Sequence, residues 1–402
     1  MHICGIVCEY NPFHSGHAYH IAQARRRGAD AIVCVMSGNF VQRGEAALVD
    51  QYARAEMALR GGADLVLALP SPWAVASAER FASGAISLLC ALGVVDQLAF
   101  GCEADSLHTL LRAAEIFSDP AFYPAVKQRM KTGESFAAAR DFVLFERAPD
   151  CAVALRTPNN ILAAEYLRAL PCSVKPIAIT RAGAAHDAQA AAGGFRSASS
   201  LRNAICSGQM AQMRAYLPAA SFQILQREID AGRAPITLAG HDRMLLSQLR
   251  RLSRAQLRDI PDVEEGLDAR LFHAIAESAT LDEILTRAKT KRYAHARLRR
   301  ILLCAFLDIT RDEQRGGPRY AQVLALNETG RTVLALARKK SRVPIITKPA
   351  SAKKLDCAAD FEREALRHAL YALFSPRPAH AREVWRTTPF VLSDADPAPI
   401  VP

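Results

Sequence analysis

The chain has 402 residues, half of them hydrophobic, with a formal net charge of +11 and a pI near 9.3. It has room for two or three domains. It lacks a bilayer-length apolar segment and any Cys-x-x-Cys pair among its ten cysteines, which excludes a membrane-spanning protein, a disulfide framework and a zinc ribbon. The positive net charge favours an acidic partner such as nucleic acid, although a protein from a generally basic, arginine-rich proteome would have a similar net charge and pI.

The first half of the chain alternates strand-like and helix-like segments. The strand candidates are Ile3–Cys8, Ala31–Met36, Leu65–Leu69, Gln97–Phe100 and Val174–Ile179. The helix candidates are Ala18–Arg27, Arg54–Arg60, Ala76–Leu92, Ser106–Phe117, Ser135–Glu146 and Asn160–Leu170. This alternation predicts an α/β, Rossmann-like domain over residues 1–207, with a parallel sheet and helices on both faces.

Strand signals fade after residue 207. Helices are predicted at Met244–Arg254, Glu265–Ala276, Leu281–Ala288 and His295–Leu307, which gives a helical domain over residues 208–312. A small C-terminal part, residues 313–402, opens with the turn-like sequence RGGP at 315–318, and its Pro- and Ala-rich tail is predicted to be partly flexible. The N-terminus leads straight into a strand rather than a signal peptide, so we expect a cytoplasmic protein.

The most informative segment is EYNPFHSGH at residues 9–17, between the first strand and the first helix. Pro12 disfavours helix before this turn, and Gly16 allows close approach of a ligand to the backbone. The first amides of the following helix attract an anion. His14 and His17 can then donate hydrogen bonds to phosphate oxygens whose charge grows during displacement at phosphorus, which is the chemistry of nucleotidyl transfer.

Two other interpretations fit these histidines less well. His14, His17 and His20 have a spacing that suits a metal, but Pro12 and Gly16 interrupt a continuous helix and no fourth ligand is evident nearby. We therefore predict no metal site. Plain packing is the remaining alternative, and the position directly after the first strand favours phosphate binding over it.

Polar segments follow the other strands and are expected at the same edge of the sheet. MSGNFVQRGE at residues 36–45 could line a polar pocket, with Arg43 meeting a phosphate or carboxylate; an ordinary loop is the alternative. Gly101 permits approach to a base or ribose, although a simple turn explains it as well. In TPNN at 157–160, a helix cap would use only one of the two asparagines. Further on, Arg181 follows the fifth strand, and RSASSLR at 196–202 resembles a phosphate-binding helix start or a plain cap.

Basic stretches recur near the helical domain. KTKRYAHARLRR at 289–300 places Arg292, His295, Arg299 and possibly Arg300 along one side of a helix, with Tyr293 available to stack on a base. A second stretch, RKKSR, covers 338–342. Such runs are often only solvated faces, so each is modest evidence for RNA binding.

Taken together, these motifs resemble the bacterial tRNA(Met) cytidine acetate ligase family nearly from end to end. The matching segments are GIV at 5–7, EYNPFHxGH at 9–17, MSGNFxQRGE at 36–45, GADLV at 62–66, FG at 100–101, PNNIL at 158–162, the Arg181…His186-Asp187 loop, KxKRY at 289–293, RLRR at 297–300 and NxxG at 327–330. The chain departs from the family pattern at Ala46, Gln51, Cys102 and Ala185, where Pro, Lys, Ser and Tyr are usual.

The resemblance implies an ATP-dependent ligase of the His-x-Gly-His nucleotidyltransferase superfamily. It would activate acetate as acetyl-adenylate, releasing pyrophosphate, and then acetylate N4 of the wobble cytidine of elongator tRNA(Met), releasing AMP. The partners implied are ATP, acetate and this tRNA, with no membrane; Mg²⁺ is expected only from ATP chemistry. Residues 1–207 would be catalytic, 208–312 would bind tRNA, and 313–402 would add RNA contacts.

The resemblance also implies site residues, carried over motif by motif. His14 and His17 would be catalytic. The ATP site would comprise Val7, Cys8, Glu9, Tyr10, Asn11, Pro12, Phe13, His14, Ser15, Gly16, His17, Ala18, Tyr19, His20, Gly101, Asn159, Asn160 and Arg181. Ser199 and Arg202 are a weaker assignment for the outer phosphates. The tRNA contacts would be Lys291, Arg292, Arg299 and Arg300.

Two rival functions fit part of the sequence. A small-molecule adenylyltransferase would share the His-x-Gly-His turn but would not need some 200 further residues with basic stretches. A non-catalytic RNA-binding protein with a decayed nucleotide fold would not need intact His14 and His17. Loss of ATP binding would support the second rival.

Overall fold

A mostly parallel sheet organises the computed structural model, which describes residues 1–103, 107–181, 196–264 and 266–393. The strands are β1 Ile3–Cys8, β2 Ala31–Ser37, β3 Phe40–Val41, β4 Glu45–Ala46, β5 Leu65–Leu69, β6 Gln97–Cys102, β7 Lys175–Thr180, β8 Ala321–Leu326, β9 Ile345–Ile346 and β10 Phe390–Val391. The main sheet runs β10-β8-β5-β2-β1-β6-β7, with β9 beside β8, while β3 and β4 form a separate hairpin.

Helices cover the sheet and build the helical region. They are α1 Ser15–Arg26, α2 Gln51–Arg60, α3 Ser71–Ala74, α4 Ala78–Ala91, α5 Leu107–Ser118, α6 Phe122–Met130, α7 Phe136–Arg147, α8 Pro149–Ala154, α9 Pro158–Ala169, α10 Ala198–Cys206, α11 Ala219–Asp230, α12 Asp242–Leu249, α13 Arg254–Asp259, α14 Leu267–Ala276, α15 Leu281–Ala288, α16 His295–Phe306, α17 Glu328–Lys340, α18 Ala358–Ala372 and α19 Glu383–Arg386. Short 3₁₀ turns lie at Met210–Tyr216, Asp312–Gln314 and Pro349–Lys354.

The order of the strands creates a switch point beside β1. From β1 the chain first adds β2 and β5 on one side, and then β6 and β7 on the other, all in parallel. In such sheets ligands bind beyond the carboxyl ends of the strands where the order reverses. The turn that carries His14 and His17 leaves β1 at this point.

Two hydrophobic cores lie on opposite faces of the sheet, because neighbouring side chains of a strand point in opposite directions. On β2, Val33 and Val35 belong to the core packed by α4, α5 and α9, whereas Ile32 and Cys34 belong to the core packed by α1 and α2. Strands buried on both faces read as continuous apolar runs. This explains why the sequence pattern of β1, β2 and β5 was easy to interpret.

The predicted fold class is confirmed, and all five predicted strands are present to within two residues at each end. The prediction missed the β3–β4 hairpin and β8, β9 and β10. β8 is fully buried and pairs antiparallel with β5, so residues 313–402 add an edge to the main sheet. The domain boundaries themselves remain a prediction. The tail predicted to be flexible lies partly outside the described residues, from 394 onward.

The NxxG motif at 327–330 locks the C-terminal segment onto the sheet. Asn327 caps α17, since its Oδ1 accepts from Gly330 N at 2.8 Å, and its Nδ2 donates to Asp64 Oδ1 at 2.9 Å. A Cβ at position 330 would lie 2.0 Å from the Asp64 carbonyl oxygen. Only glycine allows α17 to approach the start of β5 this closely.

The helical region has its own core, to which the β3–β4 hairpin contributes Phe40 and Ala46. Gly44, at the hairpin tip, has a φ of +74°, and a Cβ there would lie 2.7 Å from backbone atoms of Arg299 and Arg300. The hairpin therefore rests directly on α16. It joins the edge of the sheet that holds the histidine turn to the helix that carries the basic stretch.

Candidate active site

A cavity of about 360 Å³ opens at the carboxyl ends of β1, β6 and β7. We call it the nucleotide cavity. The first residues of α9 and α10 and Gly16 of α1 also line it, so three helix N-termini converge there. Unpaired amides and the helix dipole make such ends favourable for negative charge. The placement suits a polyanionic ligand.

The two histidines of the turn cap α1 reciprocally. His14 Nδ1 accepts from Gly16 N at 3.0 Å, and His17 Nδ1 accepts from His14 N at 3.2 Å. Their rings stack with centroids 3.7 Å apart. Because each Nδ1 accepts a hydrogen bond, a neutral ring carries its proton on Nε2. The Nε2–H of each ring is therefore the donor that can reach a ligand.

Both imidazoles are neutral at physiological pH. Burial, followed by repulsion from Arg181, lowers the pKa of His14 to about 3. Burial also lowers the pKa of His17 well below its usual value, and His14, His20 and Arg181 add to the effect. The two rings thus present fixed N–H dipoles rather than cations to an incoming phosphate.

We expect this burial to make the stability of the protein depend on pH. The unfolded chain binds a proton at His14 near pH 6.5, whereas the native ring stays neutral until about pH 3. The contribution of the buried, neutral His14 to the free energy of unfolding is therefore fully present above pH 6.5, and it is lost progressively as the pH drops toward 3. His14→Asn keeps a capping side chain but removes this titrating group. Between about pH 6 and 4, the slope of its free energy of unfolding against pH should be smaller than the wild-type slope by roughly 1.4 kcal/mol per pH unit. Urea titrations of both proteins measure this; equal slopes would contradict it.

Three buried polar atoms on residues lining the cavity have no hydrogen-bond partner within the described residues. They are Asn11 Nδ2, His20 Nε2 and Glu103 Oε2. Buried polar groups are normally paired, so these atoms are available to hydrogen-bond a polar ligand in the cavity. Burial lowers the pKa of His20 to about 4, so its ring is also neutral.

The two asparagines of the PNN motif have different roles. Asn159 lines the cavity and donates from Nδ2 to Glu103 Oε1 at 2.6 Å. Asn160 is buried beside it; its Oδ1 accepts from Glu103 N and its Nδ2 donates to Ala154 O. Asn160 therefore holds the loop after β6 in place and does not itself line the cavity.

Arginines and serines at the start of α10 close the far side of the cavity. Arg202 donates to Asn11 O at 3.2 Å and to Ser199 Oγ at 3.3 Å, and Arg43 reaches the same hydroxyl at 3.3 Å. Ser197 caps the helix by accepting from Ser200 N. Two guanidinium groups at a helix N-terminus match the charge of a phosphate chain.

A buried arginine fixes two of the loops that shape this site. Arg54 is fully buried and donates to the carbonyl oxygens of Val49, Glu9, Ser37 and Gly38. The Glu9 side chain in turn accepts from Gln42 N at 2.8 Å. The loops after β1 and β2 are thereby tied together beneath the cavity. Sequence reasoning missed this residue, because it sits in an ordinary helical pattern.

Comparison with known proteins identifies the family. A family model described as HIGH Nucleotidyl Transferase matches residues 1–384. The protein named tRNA(Met) cytidine acetate ligase from Caldanaerobacter subterraneus subsp. tengcongensis is 39% identical over 384 residues, which cover 93% of this chain and 95% of that protein. Its namesake from Thermoanaerobacter sp. strain X514 is 38% identical with the same coverage. The chain belongs to the tRNA(Met) cytidine acetate ligase family.

Solved structures of the family agree with this assignment. The crystal structure of Thermotoga maritima TmcAL bound with alpha-thio ATP matches with a TM-score of 0.89 at 32% identity, covering 98% of this chain and 100% of that chain. The apo form of the same protein reaches a TM-score of 0.91 at 33% identity with the same coverage. The family resemblance predicted from the motifs is confirmed.

Most residues predicted for ATP lie around the nucleotide cavity of this family member. They are Val7, Cys8, Glu9, Tyr10, Asn11, His14, Gly16, His17, Tyr19, His20, Gly101, Asn159 and Arg181. Pro12, Phe13, Ser15, Ala18 and Asn160 do not line it. The Phe13 ring packs directly against Gly61, where an added Cβ would lie 2.3 Å from the ring. Ser15 Oγ donates to Tyr216 O. Phe13 and Ser15 therefore hold the turn in place without lining the cavity.

Some lining residues carried no usable sequence signal. Phe81, Leu162 and Tyr166 face the cavity from α4 and α9, but they occupy apolar helix positions that look like ordinary core. Glu103 lines the cavity from the turn after β6, where only Gly101 carried a sequence signal. Residues 182–195, which include the predicted loop residues Ala185, His186 and Asp187, lie outside the described residues.

The predicted tRNA contacts differ in their exposure. Lys291, Arg292 and Arg299 are exposed, whereas the Arg300 side chain is 18% exposed, with Nη2 3.8 Å from Asp262 Oδ2. Tyr293 is 7% exposed and belongs to the helical core, so it does not offer a face for base stacking as predicted. Tyr293 precedes α16, and its ring packs into this core with the Arg297 guanidinium 5.4 Å from the ring centroid.

The departure at Gln51 lies away from the nucleotide cavity. Gln51 is 6% exposed, and its backbone N donates to Asn39 Oδ1 at 2.9 Å beneath α18. Gln51 therefore does not line the nucleotide cavity. Cys102 is buried at the end of β6, and Ala46 is buried in the hairpin.

Two general features complete the description. Within the described ranges, no helix has the length and apolar content needed to cross a membrane. Each of the ten cysteines lies in the described part of the chain and carries a free thiol. Burial raises the pKa of Cys4 and Cys304 to about 12, which keeps these thiols protonated and unreactive.

Proposed function

We propose that the chain activates acetate with ATP and transfers the acetyl group to N4 of the wobble cytidine of elongator tRNA(Met), as the names of its relatives suggest. The observation that carries the proposal is the nucleotide cavity. Neutral histidine N–H donors, three helix N-termini and the Arg43–Ser199–Arg202 group face one space there. A nucleoside triphosphate is the ligand that fits best, because its phosphate chain could bind all of these groups at once.

In the first step, an acetate oxygen attacks the α-phosphorus of ATP and pyrophosphate leaves. His14 and His17 would donate from Nε2 to the phosphoryl oxygens, whose charge grows in the transition state. The start of α10, with Ser199 and Arg202, would hold the departing pyrophosphate. Positioning and charge stabilisation supply most of the rate in such displacements.

In the second step, the cytidine amine attacks the carbonyl carbon of acetyl-adenylate. The new N–C bond replaces the C–O bond to the phosphate, AMP leaves, and the amine loses a proton. The hairpin that rests on α16 would align the RNA-binding surface with the cavity, since it contacts both. A small-molecule adenylyltransferase would have no use for this connection.

Mg²⁺ would arrive with ATP rather than in a dedicated protein cage. Among the described residues, no group of three or more His, Cys, Asp and Glu side chains is arranged to hold a metal ion. Mg²⁺ often keeps several waters and binds through substrate phosphates. We place the reaction in the cytoplasm, where the free thiols would stay reduced and ATP and tRNA are available.

The test of this proposal is ATP–pyrophosphate exchange by the purified protein, with and without acetate. Acetate-dependent exchange is expected, and it should not require tRNA. Exchange that needs phosphopantetheine or nicotinamide mononucleotide instead would favour the small-molecule rival. Loss of ATP binding altogether would favour a non-catalytic RNA-binding protein.

Arg299 and Arg300 provide a matched pair for testing the RNA surface. Arg299→Gln removes an exposed cation, so it should weaken tRNA binding and reduce the slope of log K against log salt by roughly 0.7 to 0.9, the value of one phosphate contact. Arg300→Gln should lower stability but leave that slope unchanged, because burial and Asp262 already engage this side chain. Filter binding across a salt series measures both. The opposite ranking would move the RNA contact to Arg300.

A further inference from the structure

A second cavity, of about 390 Å³, lies beside the nucleotide cavity. It is bounded by the β3–β4 hairpin, α10, α12, α15 and α16, and Arg202 lines both cavities. Leucine is its commonest lining residue, with Leu245, Leu302 and Leu303 among those on its apolar side. This volume is in the range of small-molecule sites, about 300 to 1,000 Å³. None of the proposed roles for ATP uses it.

The wall between the cavities is an ion-pair chain. Glu45 Oε2 lies 3.3 Å from Arg202 Nη2, and Glu45 Oε1 lies 3.4 Å from Arg299 Nη1. Arg202 also contacts Ser199 and Asn11 O on the nucleotide side. The Glu45 carboxylate therefore stands between a guanidinium of the nucleotide cavity and a guanidinium exposed on α16. The close fit of Gly44 against α16 fixes its position.

We propose that this second cavity receives the target base of the RNA, with Glu45 accepting a hydrogen bond from its exocyclic amine. The inference rests on the proposed function and names the site of its second substrate. A wobble base belongs to a single-stranded loop, and such bases can be splayed out into a pocket. An apolar interior suits the faces of the base, and a carboxylate is the usual acceptor for the N4 amine of cytosine.

The charges at the rim orient the nucleotide. Arg299 is exposed on one side, where it can meet the phosphodiester backbone. Asp242 and Asp282 line the other side, and Asp242 Oδ1 accepts from Leu281 N at 2.8 Å. Phosphates are repelled by these carboxylates, so the backbone would enter over α16 and direct the base toward Glu45.

This placement accounts for the acetyl transfer. With the base in the second cavity, its amine would lie beside Glu45 where the two cavities adjoin at Arg202, and the acetyl carbon of acetyl-adenylate would be brought into contact with it from the nucleotide cavity. As the N–C bond forms, the C–O bond to the phosphate breaks and AMP leaves with the electron pair. The proton of the amine passes to the Glu45 carboxylate and from there to solvent.

A substitution at the exposed rim of the second cavity tests this inference by filling the space. Ala239 is exposed and lines the second cavity, so Ala239→Trp should occupy it without disturbing buried core. We expect the ratio of tRNA acetylation to acetate-dependent ATP–pyrophosphate exchange to fall at least tenfold at saturating tRNA. Ala276→Trp, at an exposed position on α14 outside the cavity lining, should keep the wild-type ratio.

Glu45→Gln gives an independent readout that does not depend on filling space. It keeps the shape of the side chain but removes the charge that takes up the proton, so the same ratio should fall at least tenfold. A wild-type ratio in either Ala239→Trp or Glu45→Gln would overturn the inference, as would a loss in Ala239→Trp that saturating tRNA restores. Absence of exchange in the wild-type protein would instead remove the proposed function on which the inference rests.

Discussion

Replacement of His17 by Ala is expected to reduce acetate-dependent ATP–pyrophosphate exchange by roughly 100-fold or more, while the Kd for tRNA stays within about twofold. The physical reason is the loss of one Nε2–H donor aimed at the phosphates, and removal of one such donor typically costs this much in rate. The RNA surface on α16 does not depend on the ring. Exchange assays and filter binding on the same preparation measure the two effects.

His17→Gln tests whether the imidazole itself is needed. His17 Nδ1 accepts from His14 N, and a glutamine at this helix position can make the same reciprocal cap while its amide still carries N–H donors. If a cap and any neutral N–H donor suffice, glutamine should restore exchange. If the transition state needs the imidazole Nε2–H in its fixed position, both variants should remain inactive. An equal loss of tRNA affinity in His17→Ala would contradict the proposed division between the two surfaces.

Arg54→Met is expected to lower the free energy of unfolding by about 4 kcal/mol and to abolish ATP binding near physiological temperature. Arg54 is fully buried and donates to four backbone carbonyl groups, which lie before α2, after β1, and at and just after the end of β2. Methionine fills a similar space but leaves these acceptors unpaired, and each buried unpaired group costs about 1 to 3 kcal/mol.

Arg60→Met on the same helix is the matched control. Arg60 is partly exposed and pairs with Glu56 one turn earlier, so its loss should cost under about 1 kcal/mol. Denaturant unfolding and ATP titration of both variants test the comparison. Similar losses in the two proteins would show that Arg54 has no special part in organising the strand-end loops.

The central strands were predictable because their physics is local. A strand buried on both faces must be continuously apolar, and β1, β2 and β5 show such runs bounded by turn residues. β8 obeys the same rule, yet its position is set by antiparallel pairing with β5, a contact some 255 residues away in sequence. No periodicity within residues 313–402 reveals that partner. The two-residue strands β3 and β4 are too short to leave a pattern.

The candidate site likewise has a part that the sequence could predict and a part that only tertiary packing determines. The turn at 9–17 combines strand, proline, glycine and helix start, so its placement followed from sequence. Which of two adjacent residues faces the cavity did not: Asn159 lines it while Asn160 braces a loop, and Arg299 is exposed while Arg300 is mostly buried. Such choices depend on the rotation of a helix against its neighbours, which only tertiary packing fixes.

The most direct test of the account is one reaction with isotopically labelled acetate. Wild-type protein, ATP and tRNA(Met) are incubated with acetate labelled in its acetyl carbons, and the digested nucleosides are analysed by mass spectrometry. We expect N4-acetylcytidine that carries the label, formed only when ATP is present. Unlabelled or absent N4-acetylcytidine, with ATP bound normally, would contradict it.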